Sequence, residues 1–179
     1  MKRLVACAVL LAFCAAAPAA AQSSQKIVFD TDFAFAPQDD AMTLFFVLNS
    51  PELEILGITT VAGNKSLNVA NADLLKTLEV VGRTEIPVYP GAAAPLVHEG
   101  TDWDRTRHGG WYANDPAPAP PGGFAAAKTL GARSGVDFLV ETVRKAPGQV
   151  TILALGPLTN IALAMRMDRS FAQNVKQLV

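Results

Sequence analysis

Four carboxylates stand within eleven positions of this chain: Asp30, Asp32, Asp39 and Asp40. Two like charges about 4 Å apart cost on the order of 1 kcal/mol in water and several-fold more in a partly buried cleft. Either some of the carboxyls are protonated or a cation sits among them. Lys26 and Lys65 could help to balance them, but an all-oxygen cluster suits a hard ion, Ca2+ or Mg2+, better than Zn2+. The plainer alternative is a helix N-terminus flanked by solvated surface acids.

The flanking residues must position these acids. Ile27-Val28-Phe29 is a short β-branched and aromatic run that reads as a buried strand. Asp30 and Asp32, two apart at its carboxyl end, then point to one side. After Asp39 and Asp40, apolar residues at Ala41, Leu44, Phe45 and Leu48 keep the i, i+3, i+4, i+7 spacing of a helix with one buried face. That puts Asp39 and Asp40 in its first turn, where free N–H groups and the helix dipole favour negative charge.

Leu53 to Val61 reads as a second buried strand, bounded by Asn49-Ser50-Pro51 and Ala62-Gly63-Asn64. Ser66 to Val81 follows as a helix with Val69, Leu74, Leu75, Leu78 and Val81 toward its inner side, and Gly82 stops it. Ile86 to Pro90 is a short strand that Pro87 makes irregular or places near an edge. From Gly91 to Lys128 there is little periodicity; a stretch of that length is a lid or is disordered, and Trp103, Trp111 and Tyr112 argue against plain disorder. A helical stripe returns at Val136, Leu139, Val140 and Val143, then a strand from Val150 to Leu155, a helix through Ala164 and the opening of a further strand at Val175 to Val179. Apolar strands alternating with amphipathic helices predict an α/β fold, a mostly parallel sheet with helices on both faces. Ligands bind such sheets outside the carboxyl ends of the strands, the edge that carries Asp30, Asp32, Asn64 and Leu155.

Length and composition bound the rest. A chain of 179 residues, half of them hydrophobic, supports one compact domain. A formal charge of -1 without a basic block gives no electrostatic footprint for nucleic acid. Lys2 and Arg3, the apolar run Leu4 to Phe13 and the small residues Ala15 to Ala21 have the order of a secretory signal cleaved after Ala21. Its apolar core is short for a bilayer span, so no stable membrane anchor is expected and the product is exported, periplasmic or secreted. Both cysteines, Cys7 and Cys14, fall inside that leader, which removes disulfides and thiolate sites from the mature chain, residues 22–179.

Three ordered motifs carry a family resemblance. Asp30-Thr-Asp32 with Asp39-Asp40, then Thr59-Thr-Val-Ala-Gly-Asn64, then Leu155-Gly-Pro-Leu-Thr-Asn160 resemble the nucleoside hydrolases of the inosine-uridine preferring type. The loop Phe33 to Gln38 is longer than the family commonly has between its aspartates. The resemblance implies a calcium-dependent enzyme that splits ribonucleosides into base and ribose, with a small-molecule substrate and room for a homo-oligomer. It implies Asp32 as calcium ligand and general base, Asp40 as bidentate ligand and the Leu155 carbonyl as a further one. Asp39 would bind the ribose hydroxyls, Asn64 would hold the sugar and Asp30 would orient the others. His108 would lie near the leaving base. A further aspartate ligand and the acid histidine would come beyond Val179, so this chain resembles the N-terminal portion of the family's domain. Weak calcium binding and slow or absent turnover are then expected of it alone.

Each singled-out residue has a plainer role beside it. His108 and His98 suit exposed loop histidines. Trp103 and Trp111 serve more simply as pins holding the loop to the core than as stacking platforms for a base. Asn160, at a helix start, reads as a structural hydrogen-bonding residue. Two rival functions also stand: a secreted nucleoside- or sugar-binding module without catalysis, and a phosphatase of the haloacid dehalogenase type built on Asp30 and Asp32. The phosphatase lacks its threonine, since Phe33 and Ala34 follow Asp32.

Overall fold

In the computed structural model, residues 24–97, 116–126 and 130–179 are described. Five parallel strands, β1 (Gln25–Thr31), β2 (Leu53–Thr60), β3 (Val88–Pro90), β4 (Thr151–Ala154) and β5 (Gln177–Leu178), form a sheet of order β3-β2-β1-β4-β5. Among the described residues, five helices lie between them: α1 (Asp39–Leu48), α2 (Leu67–Val80), α3 (Gly135–Lys145), α4 (Thr159–Met167) and the single turn α5 (Phe171–Asn174). The α/β expectation holds, and β3, with Pro90 in it, is an edge strand.

Alternation along β1 decides which helices cover which face. Ile27 and Phe29 join a core with Leu44 of α1 and Leu74 and Leu78 of α2. Val28 points the other way, into a second core with Leu139 and Val143 of α3, Ile161 of α4 and Phe171 of α5. Both faces of the central strand are therefore sealed, which is why Ile27, Val28 and Phe29 in the middle of β1 are all apolar. Ser134 caps α3, accepting from the Asp137 backbone N–H at 3.1 Å.

The inner side of α2 differs from the apolar stripe expected. Ala70, Leu74 and Leu78 are buried, but so are Asn71, Asp73 and Thr77, whereas Val81 caps the helix and is exposed. The polar positions are held by partners: Thr60 donates to Asn71 at 2.7 Å, Lys65 pairs with Asp73, and the Thr77 hydroxyl donates to the Asp73 carbonyl at 2.9 Å. Buried polar groups with such partners avoid the desolvation penalty. Among the described residues no helix is long and apolar enough to cross a membrane.

Candidate functional site

Register brings the three motifs to one end of the sheet. Asp30 pairs with Thr59 of β2 on one side and Ala154 of β4 on the other, and Leu155 donates its backbone N–H to the Asp30 carbonyl at 2.9 Å. The acids at the end of β1 thus lie between Asn64 and Leu155, at the carboxyl edge where α/β sheets take ligands.

Asp32, 5% exposed, and Asp40, 1% exposed, meet at one residue. The Asn64 backbone N–H donates to Asp32 Oδ2 at 2.6 Å, and the Asn64 side-chain amide donates to Asp40 Oδ2 at 3.4 Å. The other Asp40 oxygen accepts from the Thr31 hydroxyl. The backbone crowds close around Asp32. A Cβ on Gly63 would overlap its carboxylate, and one on Gly156 would stand 2.8 Å from its backbone nitrogen. Both positions therefore require glycine for approach rather than for a turn.

Asp30 is fully buried. Its Oδ2 accepts from the Thr59 hydroxyl at 2.5 Å and from the Asn160 amide at 2.8 Å, while its Oδ1 has no partner among the described residues. Asn160 is as deeply buried; it also donates to the Thr60 carbonyl at 3.0 Å and accepts from the Ala92 N–H at 2.8 Å. The structural role expected for Asn160 is what the fold displays, though Leu158 precedes the helix as its cap. Asp39, by contrast, is exposed in the first turn of α1. The surface-acid alternative fits Asp39 alone; the other three carboxyls are buried.

Burial pushes the Asp30 carboxyl up to about 6, against the opposing bonds from Asn160 and Thr59. It pushes Asp32 up to about 6 as well, opposed by the Asn64 N–H and reinforced by the charge on Asp40. Asp40 is raised by burial, with Thr31 opposing. A carboxyl raised in the folded state binds more protons there than in the unfolded chain. Its contribution to stability is therefore full below about 3.8 and is lost as pH rises through about 6. In chelator, the denaturant midpoint of the protein is expected to fall from pH 4 to pH 7 more steeply than that of Asp30→Asn, by about 3 kcal/mol in stability. Parallel profiles for the two proteins would contradict it.

As a donor set, the buried carboxylates of Asp32 and Asp40 are all oxygen, the chemistry a hard divalent ion prefers. No lysine or arginine among the described residues is ion-paired with Asp32 or Asp40. Nor, among those residues, is there a group of three or more acids, histidines or cysteines arranged to hold a metal. The donors match such an ion in kind and supply part of its six to eight oxygens. His108, His98, Trp103, Trp111 and Tyr112 lie outside the described residues, as do the leader and both its cysteines.

Comparison with known proteins decides the family. The model of the inosine-uridine preferring nucleoside hydrolases matches residues 27–179, nearly the whole described chain. The chain belongs to that family. It is 41% identical over 159 residues to a probable uridine nucleosidase 2 of Arabidopsis thaliana, covering 87% of this chain and 46% of that protein. It is 33% identical to a pyrimidine-specific ribonucleoside hydrolase of Citrobacter koseri, covering 86% of this chain and 46% of the other. Among solved structures, a plant nucleoside hydrolase superposes with a TM-score of 0.67 at 36% identity, over 87% of this chain and 46% of that one. The nucleoside hydrolase chain described here thus spans about half the length of the relatives it matches. Nucleoside hydrolases bind a metal ion. Family membership sets aside the phosphatase reading.

Two features of the site escaped the sequence reading: the Asn160 bond to Asp30 across 130 positions, and the Lys65–Asp73 pair beside Asn64. The second carried a signal, an acid at an inner position of an amphipathic helix.

Proposed function

We propose that this chain carries the aspartate cluster of a calcium-dependent ribonucleoside hydrolase, which cleaves the N-glycosidic bond and releases base and ribose. The observation that carries the reading is the convergence of Asp32 and Asp40, both buried, on Asn64 at the carboxyl edge of the sheet. In this reading calcium is held by Asp32, Asp40 and the carbonyl of Leu155. When bound, the ion lowers the pKa of the attacking water and clamps the hydroxyls of the sugar.

The chain's own residues do the rest. Asp32 accepts the proton of the water that attacks the anomeric carbon, as general base. Exposed Asp39 accepts hydrogen bonds from the ribose hydroxyls, and Asn64 holds the sugar while keeping Asp32 and Asp40 together. Asp30, anchored through Thr59 and Asn160, orients the end of β1. His108 is assigned to the neighbourhood of the leaving base. A ribonucleoside such as uridine is the substrate class, supported by the names of the plant relatives.

Calcium titration by calorimetry, paired with a ribose-release assay on uridine, tests this. With only part of an ion's shell supplied, calcium is expected to bind in the range of about 10⁻⁴ to 10⁻³ M. Ribose release is expected to be slow and to vanish in chelator. Ribose release indifferent to calcium would overturn the reading.

We also propose export of the mature chain, supported by the charged, apolar and small-residue order of residues 2–21. N-terminal sequencing of the protein recovered from outside the cytoplasm should begin at Gln22. Recovery of intact chain only from the cytoplasm would refute it.

A further inference from the structure

The loop that carries Asn64 is held from two sides by its neighbour. Lys65 Nζ pairs with Asp73 Oδ2 of α2 at 2.8 Å, and Asp73 is only 4% exposed. The same ammonium stands 5.8 Å from the centroid of the Phe35 ring, a cation–π distance. Phe35 belongs to the loop Phe33 to Gln38, the long connection between the two aspartate pairs, which includes a cis Ala36–Pro37 peptide. It packs edge-on against fully buried Phe33, ring centroids 6.5 Å apart. The Lys65 carbonyl accepts the Gly63 N–H at 3.1 Å, closing the turn in which Asn64 sits. Lys65 therefore ties together α2, the loop after β2 and the loop after β1, and the residue before it holds both Asp32 and Asp40.

We infer that Lys65 and Asp73 are positioning residues: the pair, braced on Phe35, fixes Asn64 and through it the separation of Asp32 and Asp40, and so sets the cation affinity of the site. This rests on the reading of those two acids as ion ligands. It differs in sign from simple electrostatics. Removing a positive charge near two carboxylates favours a bound cation, so a purely electrostatic Lys65 predicts tighter binding when it is lost. Positioning predicts weaker binding, because support of ligating carboxylates is worth about 10- to 100-fold in metal affinity.

The test titrates the purified chain with terbium, a calcium probe, in the wild type, Lys65→Met, Asp73→Asn and Lys65→Arg, with circular dichroism on each. Lys65→Met and Asp73→Asn are expected to bind about tenfold more weakly, and Lys65→Arg to recover most of the loss. Nuclear magnetic resonance of the metal-free protein reads the same claim without an ion. The Asn64 side-chain amide should move toward the free-asparagine position in Lys65→Met and stay in place in Lys65→Arg. Unchanged or tighter terbium binding by folded Lys65→Met overturns the inference. A wild type that takes no terbium refutes the metal reading instead, and the amide signal then decides the positioning claim: no movement in Lys65→Met or Asp73→Asn sinks it.

Discussion

Asn160→Ala is expected to cost the protein about 3–5 kcal/mol of folding stability, read as a lowered guanidinium midpoint. The side chain is fully buried and serves three partners on three different segments: Asp30 Oδ2, the Thr60 carbonyl and the Ala92 N–H. Truncation leaves those groups short of a partner where water does not easily follow. Each such orphan costs about 1–3 kcal/mol. The Asp30 carboxylate suffers most, since its other oxygen already has no partner among the described residues. A cavity adds to the loss, and close packing by Gly91 limits collapse into it. A loss under about 1 kcal/mol would show that the network is dispensable.

Asp40→Ala should have the opposite profile, a large loss of function at little cost in stability. Asp40 is buried with its charge opposed by burial and held chiefly by Thr31 and Asn64. Removing a desolvated carboxyl relieves strain between like charges while depriving Thr31 of an acceptor. The two nearly cancel, so stability in chelator should stay within about 1 kcal/mol of wild type. Calcium affinity should fall by at least about 100-fold, beyond what loss of a supporting residue produces. Ribose release should drop to the chelator background. Nucleoside binding that survives in Asp40→Ala without calcium would mark a binding module instead. Unimpaired calcium binding would remove Asp40 from the ligand set.

The contrast explains what was legible in the letters. The strands at Ile27 to Phe29, Leu53 to Val61 and Val150 to Leu155 were readable because a doubly covered parallel sheet demands strands that are predominantly apolar and β-branched. The acids were readable because four like charges in so short a span need an explanation. Local patterns do not show which distant side chain answers a buried one. Asn160 looked like a helix-start residue, and nothing near it in sequence announced Asp30. The inner face of α2 misled for a related reason. Hydrophobic periodicity ranks Val81 above Asp73, yet Lys65 makes the buried acid tenable and the helix ends before Val81 turns inward. The one-turn helix α5 is too short to leave a periodic trace.

The bond between Asn160 and Asp30 also has a temporal side. At ribosomal rates of about 5–20 residues per second, Asp30 is made several seconds before the residue that will satisfy it. A nascent chain therefore carries Asp30 without this anchor until β4 and the start of α4 have been synthesised. Asn64, which bridges Asp32 and Asp40, is made well before Asn160, so the two halves of the polar network become available at different times.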